Sequence, residues 1–180
     1  MPILSAHESV LLIVDMQTGL LPAVLDYQAL VGRAERLAKA ARLLDVPVIA
    51  TEHYADKIGP TSPQLQAHVD RVIHKTHFDG TRETHFFAEF PRHRPRVLLI
   101  GTEAHVCVLQ TGLGLARQGF SPVLVADCAG SRRDSDHIMA CTRWHQHGLE
   151  QVSAEMAMFE WLDTPEHERF REVLALIKEG

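Results

Sequence analysis

Residues 10–15 read VLLIVD, a short apolar run rich in β-branched residues that ends at once on an acid. It is too brief and too continuous for an amphipathic helix. It suits a strand buried on both faces of a parallel sheet. Similar runs recur at Val46–Ala50, Val97–Ile100 and Val123–Ala126, and a weaker one, Val69–Ile73, alternates and is expected nearer an edge. Helical patterns lie between them. Leu30–Leu44 places Leu30, Ala34, Leu37, Ala41 and Leu44 three and four apart. Val106–Gln118 carries Leu109, Leu113 and Ala116 on one stripe and stops at Gly119, and Asp134–His147 stops at Gly148. A short strand at Gln151–Ser153 and helices at Ala154–Leu162 and Pro165–Lys178 complete the chain, with Asp163 or Thr164 capping the last. Strand and helix alternate about six times, which predicts one doubly wound, Rossmann-like α/β domain over residues 1–180 with right-handed crossovers.

Composition narrows the function. The 180 residues hold 18 basic and 23 acidic side chains, a net charge of −5, so no basic stripe for nucleic acid is expected. Three cysteines in a chain with its own core argue against a disulfide scaffold. The opening MPILSAHESVLLIVD lacks the basic start and small-residue cleavage site of a signal peptide. No apolar stretch approaches the roughly 20 residues of a membrane span. A cytoplasmic protein with no membrane partner is expected.

In doubly wound sheets ligands bind at the carboxyl ends of the strands. The residues after each run are Asp15, then Thr51-Glu52-His53, then His74-Lys75, then Gly101-Thr102-Glu103, then Asp127. An acid, an amine and a thiol at Asp15, Lys75 and Cys107 are 60 and 32 residues apart, yet this topology can bring them together. Asp15 is either a cap or ion-pair partner, or a general base. Lys75 is either a solvated surface charge or a cation that lowers the pKa of a neighbouring thiol. Cys107, in the first turn of a helix, is the leading nucleophile, because backbone N–H groups there favour a thiolate. Position alone leaves Cys128 open as a second candidate, and Cys141 reads as helix packing. A redox pair of Cys107 and Cys128 has no CxxC to support it.

Twelve histidines raise the question of a metal. Glu52-His53 and Glu103-x-His105 are conceivable ligand pairs, but HExxH and CxxC are missing, and no metal or other cofactor is expected. DMQTGLLP has one glycine where a dinucleotide turn needs three, and no GxxxxGK[ST] or GxSxG occurs. Gly112 and Gly114 read as close-packing positions.

VLLIVDMQTGL with Asp15, KTHFD with Lys75 and LLIGTEAHVCVLQTGLGLARQGF with Cys107 together resemble the isochorismatase-like cysteine hydrolases, over roughly Ser9 to Leu162. The resemblance implies a three-layer α/β/α fold with about six parallel strands. It implies a catalytic triad of Asp15, Lys75 and Cys107, acting on an amide-type C–N bond of a small molecule through a thioester. It also implies a cis peptide between Thr102 and Glu103, with the backbone N–H groups of Glu103 and Cys107 as the oxyanion hole. Two departures stand out. Ala104 occupies a position where many amidases of the family have threonine. His53 and Ala55 fall where the nicotinamidase branch has its metal-binding Asp-x-His, so metal-dependent nicotinamidase activity is not expected. TEHYADKIGPTSPQL instead looks like the less characterised branch with a TEQY-type segment.

A substrate pocket walled by Tyr54 and Phe78, with Phe86 or Trp161 as further candidates, is expected, and Glu52, His53 and His105 would supply polarity. Leu20, Leu21 and Pro22 would form its lip. A homo-oligomer, a dimer or larger, is expected from the family, and the apolar segment Met156–Trp161 covers either a neighbour or the chain's own core. Two rival functions remain: a catalytically silent binding or scaffold protein of the same fold, and an isochorismate-type vinyl ether hydrolase.

Overall fold

The computed structural model describes residues 3–179. The expected span of 1–180 includes Met1, Pro2 and Gly180, which lie outside the described residues. In chain order the main elements are β1 (Ser9–Val14), α1 (Tyr27–Leu43), β2 (Val48–His53), the single turns α2 (Ala55–Ile58) and α3 (Pro63–Gln66), and β3 (Arg71–Lys75). Then come β4 (Arg96–Thr102), α4 (Leu109–Arg117), β5 (Ser121–Gly130), α5 (Asp134–Gln146), β6 (Glu150–Val152), α6 (Ala154–Leu162) and α7 (Phe170–Lys178).

Six parallel strands form one sheet in the order β3-β2-β1-β4-β5-β6. The weakly patterned β3 is an edge strand, as its alternation predicted. The switch point falls between β1 and β4, whose carboxyl ends carry Asp15 and Thr102. Every residue of β1 is buried. Leu11 and Ile13 enter a core with Leu37, Ala38, Trp161 and Val173 from α1, α6 and α7. Val10, Leu12 and Val14 enter the opposite core with Phe86, Val108, Leu115 and Trp144. This double burial explains the unbroken apolar run in the sequence.

The structure corrects several boundaries. β2 starts after Pro47 and continues through His53, so Thr51, Glu52 and His53, which follow the apolar run in the sequence, belong to the strand. β5 runs to Gly130, four residues beyond the expected end, and its pairing with β4 shifts between Leu99 and Gly101. The last helix begins at Phe170 instead of Pro165. The expected helix at Val106–Gln118 is a π-helical turn, Ala104–Val108, followed by α4.

Two glycines are fixed by close approach. Gly101 has φ 134°, and a Cβ there would stand 2.0 Å from the Val14 carbonyl oxygen. A Cβ on Gly112 would stand 2.2 Å from the Trp144 ring, in keeping with its reading as a packing position. Among the described residues, no helix is long and apolar enough to cross a membrane.

Candidate active site

Asp15 follows β1 in a left-handed conformation, φ 50°. Aspartate tolerates this region better than most residues, and the turn redirects its side chain over the end of the sheet. The carboxylate is fully buried. Its Oδ1 accepts a hydrogen bond from Thr51 Oγ1 at 2.7 Å. Its Oδ2 lies 2.7 Å from Lys75 Nζ, an ion pair whose angles fall outside a regular hydrogen bond. Both side chains of the pair are fully buried. The Lys75 ammonium also donates to the His77 carbonyl at 3.1 Å. Burying two charges is costly unless they neutralise each other, and here each has the other.

Cys107 sits in the π-helical turn, buried and in the same core as Val14 and Ala104. Its thiol is within hydrogen-bonding reach of both Asp15 and Lys75. The chain therefore brings the three expected residues to one point. The thiol's proton state differs from the sequence expectation. Burial and the Asp15 charge push its pKa up to about 12, against the lowering effect of Lys75. In the resting site the proton is on sulfur, so a nucleophile must be made by moving it.

The Thr102–Glu103 peptide is cis, as the resemblance implies. Thr102 Oγ1 donates to the Asp15 carbonyl at 2.6 Å, tying β4 to the turn that carries the acid. Thr51, Thr102 and Gly101 were not singled out as functional by the sequence. A buried threonine beside an acid has no spacing signal of its own.

His53 ends β2 and pairs in register with Lys75. Its ring lies against Phe78 and Tyr54, with centroids 5.4 Å and 4.8 Å away. Tyr54 and Phe78 are about half exposed and flank the His53 ring. Glu52 is placed differently. Neighbouring residues on a strand point to opposite faces, so it leaves the sheet opposite Thr51 and His53. There its Oε1 accepts from the backbone N–H and hydroxyl of Thr61 at 2.7 and 2.8 Å. His105 turns toward α5, with Nδ1 2.9 Å from Ser131 Oγ and Nε2 3.3 Å from Glu103. Arg132 holds the other Glu103 oxygen at 2.6 Å.

Trp161 is not a wall of the site: it is buried in the opposite core and donates to Ser9 Oγ, at the start of β1. Phe86 is fully buried core. Asp127 is internal to β5 and accepts from the Ala154 N–H that starts α6. Cys128 is buried among α1 side chains, and burial raises its pKa, so it takes no part in the cleft. Among the described residues, no group of three or more His, Cys, Asp or Glu side chains is arranged to hold a metal ion. A cleft of about 580 Å³ opens elsewhere, near the amino ends of β2 and β3, but Arg42 and Arg71 in it already pair with Asp70 and Glu89.

Comparison with known proteins gives the same outline. A family model described as an isochorismatase domain matches residues 9–156. Isochorismatase domain-containing protein 2A of Mus musculus is 33% identical over 173 residues, covering 96% of this chain and 84% of that protein. The structure of MAR1 ribonuclease from Caenorhabditis elegans superposes with a TM-score of 0.92 at 28% identity, covering 98% of this chain and 93% of that one. The YcaC gene product of Escherichia coli, an octameric hydrolase of unknown specificity, superposes with a TM-score of 0.79 at 20% identity, covering 99% and 98% of the two chains. The last likeness speaks for the fold alone.

Proposed function

The chain belongs to the isochorismatase family, and on that premise we propose that it is a cysteine hydrolase cleaving an amide-type C–N bond of a small molecule. The observation that carries this reading is the fully buried Lys75–Asp15 pair at 2.7 Å, within reach of the Cys107 thiol. Asp15 takes the thiol proton, and Lys75 offsets the negative charge that then sits on sulfur. The sulfur attacks the carbonyl carbon. The N–H groups of Glu103 and Cys107 receive the oxyanion. The C–N bond breaks, Asp15 returns its proton to the amine, and a thioester remains. Asp15 next accepts a proton from water, whose oxygen attacks the thioester. The acid leaves, and the thiol is restored with the proton held by Asp15.

A raised thiol pKa suits this scheme, since a base beside a neutral thiol makes the nucleophile only when substrate is present. The same observation favours a second reading, a silent binding protein that never ionises Cys107. A screen of small amides against wild type and Cys107→Ala separates the two. Turnover lost in Cys107→Ala supports the hydrolase, whereas turnover retained there removes Cys107 from the reaction. No turnover in either, with saturable binding, supports the silent protein. A net charge of −5 and the burial of Asp15 favour a small molecule over RNA, despite the ribonuclease description of the worm relative. Self-association belongs to the same reading, supported by exposed Ile138, Met139, Met156 and Phe159. Light scattering tests it, and a monomer at all concentrations refutes it.

A further inference from the structure

His53 is fastened in place by its main chain. The Gln17 Oε1 accepts its N–H at 2.7 Å, and the Gln17 Nε2 donates to its carbonyl at 3.1 Å. Gln17 itself is fully buried. The imidazole is framed by Phe78, tilted 35° to it, and by the edge of Tyr54 at 86°. Its Nδ1 is buried and has no hydrogen-bond partner among the described residues. Buried polar atoms in folded proteins nearly always have a partner, and each exception calls for a reason, a functional role among them. Here the exception lies beside the charged pair of the site, on the residue in register with Lys75.

We propose that His53 is a substrate-recognition residue, whose Nδ1 hydrogen-bonds an uncharged polar group of the molecule attacked by Cys107 while Tyr54 and Phe78 cover that molecule's apolar surface. The proposal rests on the cysteine-hydrolase reading above. Burial and the Lys75 ammonium lower the pKa of His53, outweighing the opposite pull of Asp15 and Glu83, so the ring is neutral at neutral pH. A neutral imidazole offers one donor and one acceptor. The adjacent Lys75 and Asp15 charges already balance each other, so neither a carboxylate nor an ammonium on the substrate gains a free counter-charge there. A carboxamide or a similar neutral group, able to donate or accept, is the class that fits.

The test compares alkylation of Cys107 by two reagents in the full-length protein at one fixed pH. Iodoacetamide carries a carboxamide, and methyl iodide carries no hydrogen-bonding group. Each transfers its alkyl group to Sγ, releases iodide and leaves the thiol proton with a base. Rate constants are measured for wild type, His53→Ala and His53→Gln, with modification at Cys107 located by peptide mass and folding checked by circular dichroism. Loss of one neutral hydrogen bond should lower the iodoacetamide-to-methyl-iodide ratio about tenfold in His53→Ala. His53→Gln, which keeps a donor and an acceptor, should restore most of it. An unchanged ratio would overturn the recognition role. Equal slowing with both reagents would also overturn it, by showing that His53 acts on the thiol. Failure of both reagents to label Cys107 in folded wild type, even at alkaline pH where its thiolate forms, would remove the nucleophile itself, a result distinct from an unchanged ratio.

Discussion

Thr51 Oγ1 stands 2.7 Å from Asp15 Oδ1, and both residues are wholly buried. The hydroxyl thereby occupies one carboxylate oxygen and leaves the other facing Lys75. Thr51→Val keeps the shape and deletes the donor. It should destabilise the protein by about 1–3 kcal/mol, the usual cost of a buried acceptor left without its donor. Thr51→Ser should cost less than half as much. Urea unfolding of the three proteins measures this, and equal stabilities would show that the bond carries no weight.

The raised pKa of Cys107 fixes the expected reactivity of its neighbours. Burial holds the thiol at about 12, with Asp15 adding to the rise and Lys75 opposing it. Iodoacetamide labelling of Cys107 should therefore keep climbing with pH past the ordinary thiol value of about 8.5. Asp15→Asn removes the opposing negative charge and should label faster at a given pH, while losing amide turnover because the base is gone. Lys75→Met should label more slowly. A labelling plateau in wild type at neutral pH would contradict the buried neutral thiol.

Glu83 holds the loop that follows Lys75. Burial raises its pKa, but this is outweighed by the N–H groups of His77 and Thr76 and by their side chains, bringing it down to about 2. The distances run from 2.8 to 3.2 Å. A carboxylate with a depressed folded-state pKa contributes stability in full above its ordinary value near 4.5, and that contribution fades as pH falls toward about 2. Glu83→Gln should lower stability at neutral pH and flatten its decline between those two values. Urea midpoints across acid pH test this, and parallel curves for the two proteins would refute it.

Gly101 permits β1 and β4 to meet just before the cis peptide. With φ at 134° and the Val14 carbonyl oxygen 2.0 Å from any added Cβ, alanine cannot be accommodated without moving a strand. Gly101→Ala should cost about 3 kcal/mol or more, in the range of severe backbone and overpacking changes. Gly119→Ala is a control for the positive φ alone, because nothing lies within 4 Å of a Cβ there. Similar losses in both variants would mean that contact at Gly101 adds nothing.

The sequence by itself determined the class of fold and the meeting of three residues. Runs such as Val10–Val14 are buried on both faces, so their composition alone marks parallel strands. The residue after such a strand lies at the ligand edge wherever the strand sits, which is why Asp15 and Lys75 were legible. Family likeness then joined Cys107 to them and foretold the cis bond at Thr102–Glu103. Tertiary structure decided what depends on strand length and burial. Because β2 continues through His53, side-chain parity sends Glu52 to one face and Thr51 and His53 to the other. Because β5 runs on to Gly130, Asp127 and Cys128 lie within a strand instead of beyond it. The proton on Cys107 was also out of reach of local pattern. Helix position favours a thiolate, but a side chain buried by distant segments and set beside a carboxylate loses more from desolvation than the helix terminus returns.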